Sequence, residues 1–376
     1  MVALASRALL TPLLLAARPR PRAFCVATAA KKVVFLGTPE VAARSLELIL
    51  EGSREGKGGG FEIAAVVSQP PAKTGRKMKL TPSPVHALAE SEGLKLLTPP
   101  NAKEEEFLST LEEMKPDLMI TAAYGCFLPQ RFLDIPKFGT LNIHPSLLPL
   151  YRGAAPVQRC LENGDAVSGV TVAFTVLAMD AGPVLRQVQR PLDGNEMAGE
   201  FLHEMFEVGT EALLEALPSV WDGSCEGVLT PQDDEKATKA PKVKKEEAEV
   251  RLDLMSAQSI HNRCRGFAAW PGIWTELDLG DSKGPVLCKL TQTALPAEGS
   301  DTPTGGDAAM NVEEARAVAL KGKALQLTCG DGSELLVKRI QLPGKKPTDA
   351  KSFWNGLNGR TARWVGADEV QSASED

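Results

Sequence analysis

Apolar and polar positions follow two different rhythms along the chain, and the change falls near Trp221. In the first stretch, short unbroken apolar runs alternate with segments of helical spacing. Lys32–Gly37 (KVVFLG) predicts a buried strand, and Pro39–Glu51, apolar at Val41, Leu46, Leu48 and Leu50, predicts a helix. Past the glycine-rich turn Gly52–Gly60, Phe61–Val67 predicts a second strand. Pro84–Glu92 and Lys103–Met114 predict helices, Asp117–Ala122, Thr140–Ile143 and Gly169–Val176 further strands, and Glu196–Leu217 a long helix. Strands alternating with helices predict an α/β unit, a doubly wound, Rossmann-like parallel sheet over residues 31–225. Such sheets bind ligands beyond the carboxyl ends of their strands, so the stretches after residues 37, 67, 122, 143 and 176 are where chemistry is expected.

Beyond residue 225 the apolar runs shorten. Residues 226–245 contain the polar, Lys-rich stretch Gln232–Lys245 and read as a basic linker. Residues 246–376 offer one helix, Ala257–Gly266, and β-like runs at Ile273–Leu279, Pro285–Gln292, Ala315–Leu320, Ala324–Cys329 and Glu334–Leu342. Several short strands in so small a unit predict an antiparallel, OB-like β-barrel. Leu295–Asn311, rich in Gly, Pro, Thr, Asp and Ala, reads as a long loop between two of them.

Composition narrows the class. With 43% hydrophobic and 24% charged residues, the 376-residue chain has an ordinary globular make-up and room for two or three cores. No apolar run reaches the ~18 residues of a membrane span, so no membrane is expected, and the chain is expected to work as a monomer. The seven cysteines are scattered without a C-x-x-C and read as reduced, mostly buried thiols, a catalytic thiol being the lesser alternative. Residues 1–30 hold Arg7, Arg18, Arg20 and Arg22, an apolar stretch from Leu9 to Leu15, and no acid before Glu40. That is the pattern of a mitochondrial targeting presequence, and the mitochondrial matrix is the expected location. A secretory signal is the rival, but it fits poorly with arginines directly after the apolar stretch. The net charge of −6, about −10 without those four arginines, speaks against a nonspecific polyanion binder but leaves room for a local basic patch.

The single glycine of Gly37-Thr38-Pro39 removes the dinucleotide signature, and no P-loop is present. The informative stretch is Gly139–Pro156, GTLNIHPSLLPLYRGAAP. Alternation at a strand's end puts Asn142 and His144 on one side, and Pro145, Pro149 and Pro156 force a stiff loop after them. A neutral amide beside an imidazole suits a developing oxyanion and a proton transfer. Asp180, in Met179-Asp180-Ala181-Gly182, follows the next strand and is the candidate partner for the imidazole; on its own it would equally read as a turn residue. His86, His203 and His261 read as surface or core-edge residues, and the absence of His or Cys clusters predicts no metal site.

The segments FLGTPE, SQPPAKTGRKMKLTPSPV, AAYGCFLP, LNIHPSLLPLYRGAAPVQRCLENGD, GVTV and MDAG, in that order, resemble the 10-formyltetrahydrofolate-dependent formyltransferases. Within that family they are most similar to the members that formylate methionyl-tRNA, in a mitochondrial form. The resemblance runs from about residue 32 to the C-terminal segment. It implies 10-formyltetrahydrofolate as formyl donor, initiator methionyl-tRNA as partner, and catalytic roles for Asn142, His144 and Asp180. It further implies a folate pocket at Ala123, Tyr124, Gly125, Leu128 and Pro129, closed by Ser146, Leu147, Leu148 and Pro149. It assigns tRNA contact to the basic loop carrying Lys73, Arg76, Lys77 and Lys79; the C-terminal barrel, with Lys338, Arg339, Lys345, Lys346 and Lys351, is expected to bind tRNA through a one-sided basic face. Two departures stand out: Pro183 where many bacterial members have a second Asp, and Pro145 where they have Gly.

The basic loop holds four positive charges in seven residues, with no acid between Glu62 and Glu90, an anion trap at the edge of the expected site. A formyltransferase or hydrolase acting on a glycinamide ribonucleotide or an amino sugar would not need that loop. An RNA-binding scaffold on a decayed enzyme fold would not need Asn142, His144 and Asp180 together.

Overall fold

The computed structural model describes residues 30–75, 77–281, 284–297 and 316–366. Residues 1–29 of the expected presequence, Arg76, most of the loop expected over Leu295–Asn311 and the C-terminal end past residue 366 lie outside the described residues. The first unit is built from β1 (Lys31–Gly37), α1 (Glu40–Arg54), β2 (Phe61–Val67), β3 (Ala72–Thr74), β4 (Lys79–Thr81), α2 (Pro84–Ser91), β5 (Leu96–Leu97), α3 (Glu105–Met114), β6 (Leu118–Ala122), α4 (Gln130–Leu133), β7 (Thr140–His144), α5 (Pro156–Asn163), β8 (Val167–Phe174), β9 (Val184–Pro191) and α6 (Ala198–Asp222). Seven of these strands form one sheet in the order β5-β2-β1-β6-β7-β8-β9. β1 explains the layering: Val33 and Phe35 point into a core with α1 and α6, while Val34 and Leu36 point into a second core with α3 and α4. A strand buried on both faces reads as an unbroken apolar run, as KVVFLG does.

The sheet is not parallel throughout, and the departure governs the site. β5, β2, β1, β6 and β7 are parallel, but β8 runs antiparallel to β7, with His144 opposite Thr171 and Leu141 opposite Phe174. β9 then runs antiparallel to β8. The sequence pattern did not reveal β9, because this edge strand (VLRQVQRP) is largely exposed and polar. The chain after Phe174 therefore leaves beside the amino end of β7, not at the carboxyl rim that an all-parallel sheet predicts. It doubles back to bring Asp180 to His144. Gly182 closes the reversal at a point where a Cβ would sit 1.7 Å from the Phe174 carbonyl oxygen, so only glycine fits.

The second unit contains α7 (Ala257–Phe267), β10 (Ile273–Asp278), β11 (Val286–Ala294), β12 (Ala319–Lys321), β13 (Ala324–Thr328), β14 (Glu334–Gln341), β15 (Thr348–Asp349), α8 (Ala350–Gly356) and β16 (Arg363–Trp364). Its antiparallel sheet runs β12-β13-β14-β11-β10-β16. A bridge between Ala317 and Arg363 joins the two ends, closing a small barrel around its own core.

Residues 226–245, expected as a basic linker, run on to residue 250 as a segment that pairs with both units. Thr230 pairs with Val184, Lys239 with Arg152 and Glu249 with Trp274, so the segment straps both units. Its lysines point outward while Ala240, Val243, Ala248 and Val250 are buried. Small apolar residues spaced among lysines bury well but do not stand out as a pattern.

Candidate active site

β6 and β7 lie in register with Thr121 opposite Asn142. The Thr121 hydroxyl donates to Asn142 Oδ1 at 2.8 Å, which occupies the amide oxygen and leaves the amide N–H pair to donate into the cavity that Asn142 lines. Two residues on, His144 is only 5% exposed. Its Nε2 lies 3.1 Å from the Tyr151 carbonyl oxygen. A carbonyl can only accept, so Nε2 carries the hydrogen and Nδ1 is the nitrogen left to take a proton. Nδ1 lies 3.8 Å from Asp180 Oδ1, within ion-pair range but beyond a hydrogen bond. Asp180 itself is held by the Gly153 backbone N–H, which donates to Oδ2 at 2.8 Å. It adopts φ +51°, a left-handed conformation that a non-glycine residue keeps only where its surroundings enforce it.

These three side chains open on a cavity of about 730 Å3, within the range of small-molecule and cofactor sites. Ala123, Tyr124, Gly125 and Leu128 form one wall, Val41, Leu202 and Phe206 another. The mouth is apolar and open: Phe127, Leu177 and Met179 line it and are half or more exposed. Tyr124 is buried, which pushes its hydroxyl well above the usual phenol range, and its carbonyl accepts from Thr38 Oγ1 at 3.0 Å. Cys126 is on the same wall, with the Gln69 amide nitrogen 2.8 Å from its sulfur.

The structure thus brings together Asn142, His144, Asp180, Ala123, Tyr124, Gly125 and Leu128. Pro129 and the turn Ser146–Pro149 are not among the cavity walls. The turn faces β8 and β9 instead: Ser146 Oγ donates to the Leu150 carbonyl at 2.7 Å, Thr171 Oγ1 donates to the Ser146 carbonyl at 2.6 Å, and Gln187 donates to the Leu148 carbonyl at 2.7 Å. Ser146 and Leu148 are buried by these contacts, which stiffen the loop behind His144. Lys73, Lys77 and Lys79 are exposed on the β3–β4 hairpin. At its base Ser68 and Ser83 share a hydrogen bond at 2.6 Å, and Gln69 reaches the Tyr124 carbonyl at 3.4 Å, so the hairpin rises beside the cavity wall.

Sequence reasoning missed three participants. Thr121 sits in an apolar run where its hydroxyl carried no signal. His203, expected at the surface or core edge, is exposed but lines the cavity from α6. Gln232 belongs to the strap and reaches the Asp180 loop. The other two histidines do face elsewhere: His86 pairs with Glu90, and His261 is buried between α7 and its neighbours. Among the described residues no three His, Cys, Asp or Glu side chains gather into a metal-holding group, and no helix is long and apolar enough to cross a membrane.

Comparison with known proteins places these residues in context. A family model described as "Formyl transferase" matches residues 31–217, and one described as "Formyl transferase, C-terminal domain" matches residues 242–358. A methionyl-tRNA formyltransferase of Macrococcus caseolyticus is 37% identical over 325 residues, covering 86% of this chain and 95% of the relative. One from Pseudomonas putida is 37% identical over 334 residues, covering 89% and 97%. Among solved structures, WlaRD, a sugar 3N-formyl transferase crystallised with dTDP and 5-N-formyl-THF, shares the fold with a TM-score of 0.55 at 16% identity, over 85% of this chain and all of that one. An N-formyltransferase from Helicobacter canadensis gives 0.54 at 15% identity, over 82% and 98%.

Proposed function

The chain belongs to the methionyl-tRNA formyltransferase family, and from that premise we propose that it moves the formyl group of 10-formyltetrahydrofolate to the α-amine of initiator methionyl-tRNA in the mitochondrial matrix, for translation initiation there. The observation that carries this reading is the convergence of Asn142, His144 and Asp180 on one apolar cavity. An α-amine attacks the formyl carbon, and negative charge gathers on the formyl oxygen. The Asn142 amide N–H is placed to meet it, its other end being occupied by Thr121. His144 Nδ1 is placed to take the proton the amine loses, with the Asp180 carboxylate close enough to stabilise the imidazolium. The oxyanion then collapses, the bond from the formyl carbon to the folate N10 breaks, and N10 leaves with the proton that the His144 imidazolium gives back.

The cavity suits the donor: it has the volume and apolar lining that a flat heterocycle and its attached ring require. The exposed lysines of the β3–β4 hairpin suit the acceptor, whose phosphates they can meet beside the reacting centre. The matrix location rests on the arginine-rich, acid-free residues 1–30.

The test is transfer of labelled formyl from 10-formyltetrahydrofolate, offered methionyl-tRNA, free methionine and glycinamide ribonucleotide side by side. Label is expected on methionyl-tRNA alone. Label on a small amine, or released only as formate, would overturn the acceptor assignment. Residues 1–30 fused to a reporter should carry it into mitochondria; a reporter left outside would overturn the location.

A further inference from the structure

Neither loop that carries the site is regular structure, and one side chain from the strap ties the two together. Gln232 Oε1 accepts from Arg152 Nε at 3.0 Å and from Arg152 Nη2 at 2.8 Å. Gln232 Nε2 donates to the Asp180 carbonyl at 2.8 Å and to the Gly182 carbonyl at 2.7 Å. All of its hydrogen-bonding capacity toward these loops is in use, with the acceptor on one and the donor on the other. The contacts cross about fifty residues to Asp180 and eighty to Arg152 and are not part of any sheet or helix.

The rest of the strap acts on the same two loops. The Arg152 N–H donates to the Thr238 carbonyl at 2.9 Å, and the Ala240 N–H donates back to the Arg152 carbonyl at 2.8 Å. The Tyr151 N–H donates to Thr238 Oγ1 at 2.8 Å. Tyr151 supplies the carbonyl that holds His144, and Gly153 supplies the N–H that holds Asp180. Gly153 lies so close to the strap that a Cβ there would sit 2.6 Å from the Ala240 carbonyl oxygen. Asp180 sits at φ +51°, a conformation that relaxes unless its neighbours hold it. The Gln232 amide holds its carbonyl on one side, and Gly153 holds its carboxylate on the other.

We propose that Gln232 is a positioning residue for formyl transfer: it acts through Asp180 by fixing the 175–183 loop against Arg152, which makes the interdomain strap part of the active site. This rests on the functional reading above. Gln232→Glu is the sharpest variant: it keeps an acceptor for Arg152, and in place of the N–H donors it sets a charged carboxylate oxygen against the two carbonyls. It should lower kcat by about 10²-fold, the scale of a displacement of about 1 Å at a reacting centre, with KM for folate and for tRNA changed less than kcat. In an Asp180→Ala background the same substitution should cost almost nothing more, because its effect passes through Asp180.

Equal losses in both backgrounds, or a fall in melting temperature with kcat unchanged, would overturn the proposal. Hydrogen exchange read in parallel is independent of any assay. Gln232→Ala should speed exchange in residues 178–183 while leaving β6 and β7 protected, and unchanged exchange there would overturn the proposal even if the substrate assignment failed.

Discussion

Asn142 and His144 are held by groups that leave one useful atom each. Thr121 occupies the amide oxygen of Asn142, and the Tyr151 carbonyl occupies Nε2 of His144, so the amide N–H pair and Nδ1 remain for the proposed reaction. Thr121→Val is nearly isosteric and removes one donor. It should lower kcat about fivefold, since a neutral hydrogen bond is worth about 1 kcal/mol and the freed amide can turn its oxygen toward the cavity. Measured in single turnover, an unchanged rate would mean that Asn142 is oriented some other way. Asn142 and His144 were legible in the sequence because alternation along a strand fixes which side chains share a face, and the prolines after them fix where the strand stops. Asp180 was reached by the wrong route: an all-parallel sheet would put residue 176 at the carboxyl rim, whereas β8 is antiparallel and the loop doubles back. Gln232 was illegible because its partners lie fifty and eighty residues away and nothing local marks it.

At the scale of elements, the β3–β4 hairpin and α7 make separate predictions. Lys73, Lys77 and Lys79 are exposed and close together on the hairpin. Replacing all three by Ala should weaken tRNA binding and flatten its salt dependence, the slope falling by about 0.7–0.9 for each phosphate no longer neutralised, with folate binding unchanged. A fall in both affinities together would mean that the hairpin supports the cavity rather than the tRNA. His261 on α7 links the barrel to the catalytic unit: its Nε2 donates to the Gly194 carbonyl at 3.1 Å, and its Nδ1 lies 2.8 Å from Thr293 Oγ1. Burial, the largest cause, lowers its pKa below the ordinary value. The unfolded chain therefore takes up this proton at a higher pH than the folded one. Its contribution to stability is complete above the unfolded value of about 6.5 and is lost as pH falls through the lower folded value. The melting temperature should drop on acidification below pH ~6.5, and the drop should be smaller in His261→Gln. Equal slopes in the two proteins would assign the acid sensitivity to other groups. The apolar strands of both units were readable as runs or alternations. Edge strand β9 and the strap were not, because partial burial leaves their sequences polar.

The described residues from 31 on form a mixed sheet and a barrel joined closely enough that the joint reaches the candidate site. α5 starts directly after the Tyr151–Ala155 loop and packs on α7 so tightly that a Cβ at Gly266 would lie 2.7 Å from the Gln158 carbonyl oxygen. Arg265, 2% exposed, lies across this joint. It donates to the Leu161 carbonyl and approaches Glu196, both at 3.5 Å. Burial lowers the Arg265 pKa from its ordinary value, and the Glu196 carboxylate lies opposite. On the proposed function, a tRNA held by hairpin and barrel would present its aminoacyl end to a cavity whose loops are already fixed. The most direct measurement is a paired one on His144→Ala and Asn142→Ala: affinity for methionyl-tRNA, and single-turnover formyl transfer at saturating donor. Affinity within about twofold of the parent, with transfer slowed by about 10²–10³-fold, is the expected result. Near-full transfer by either variant would place the chemistry outside this cavity.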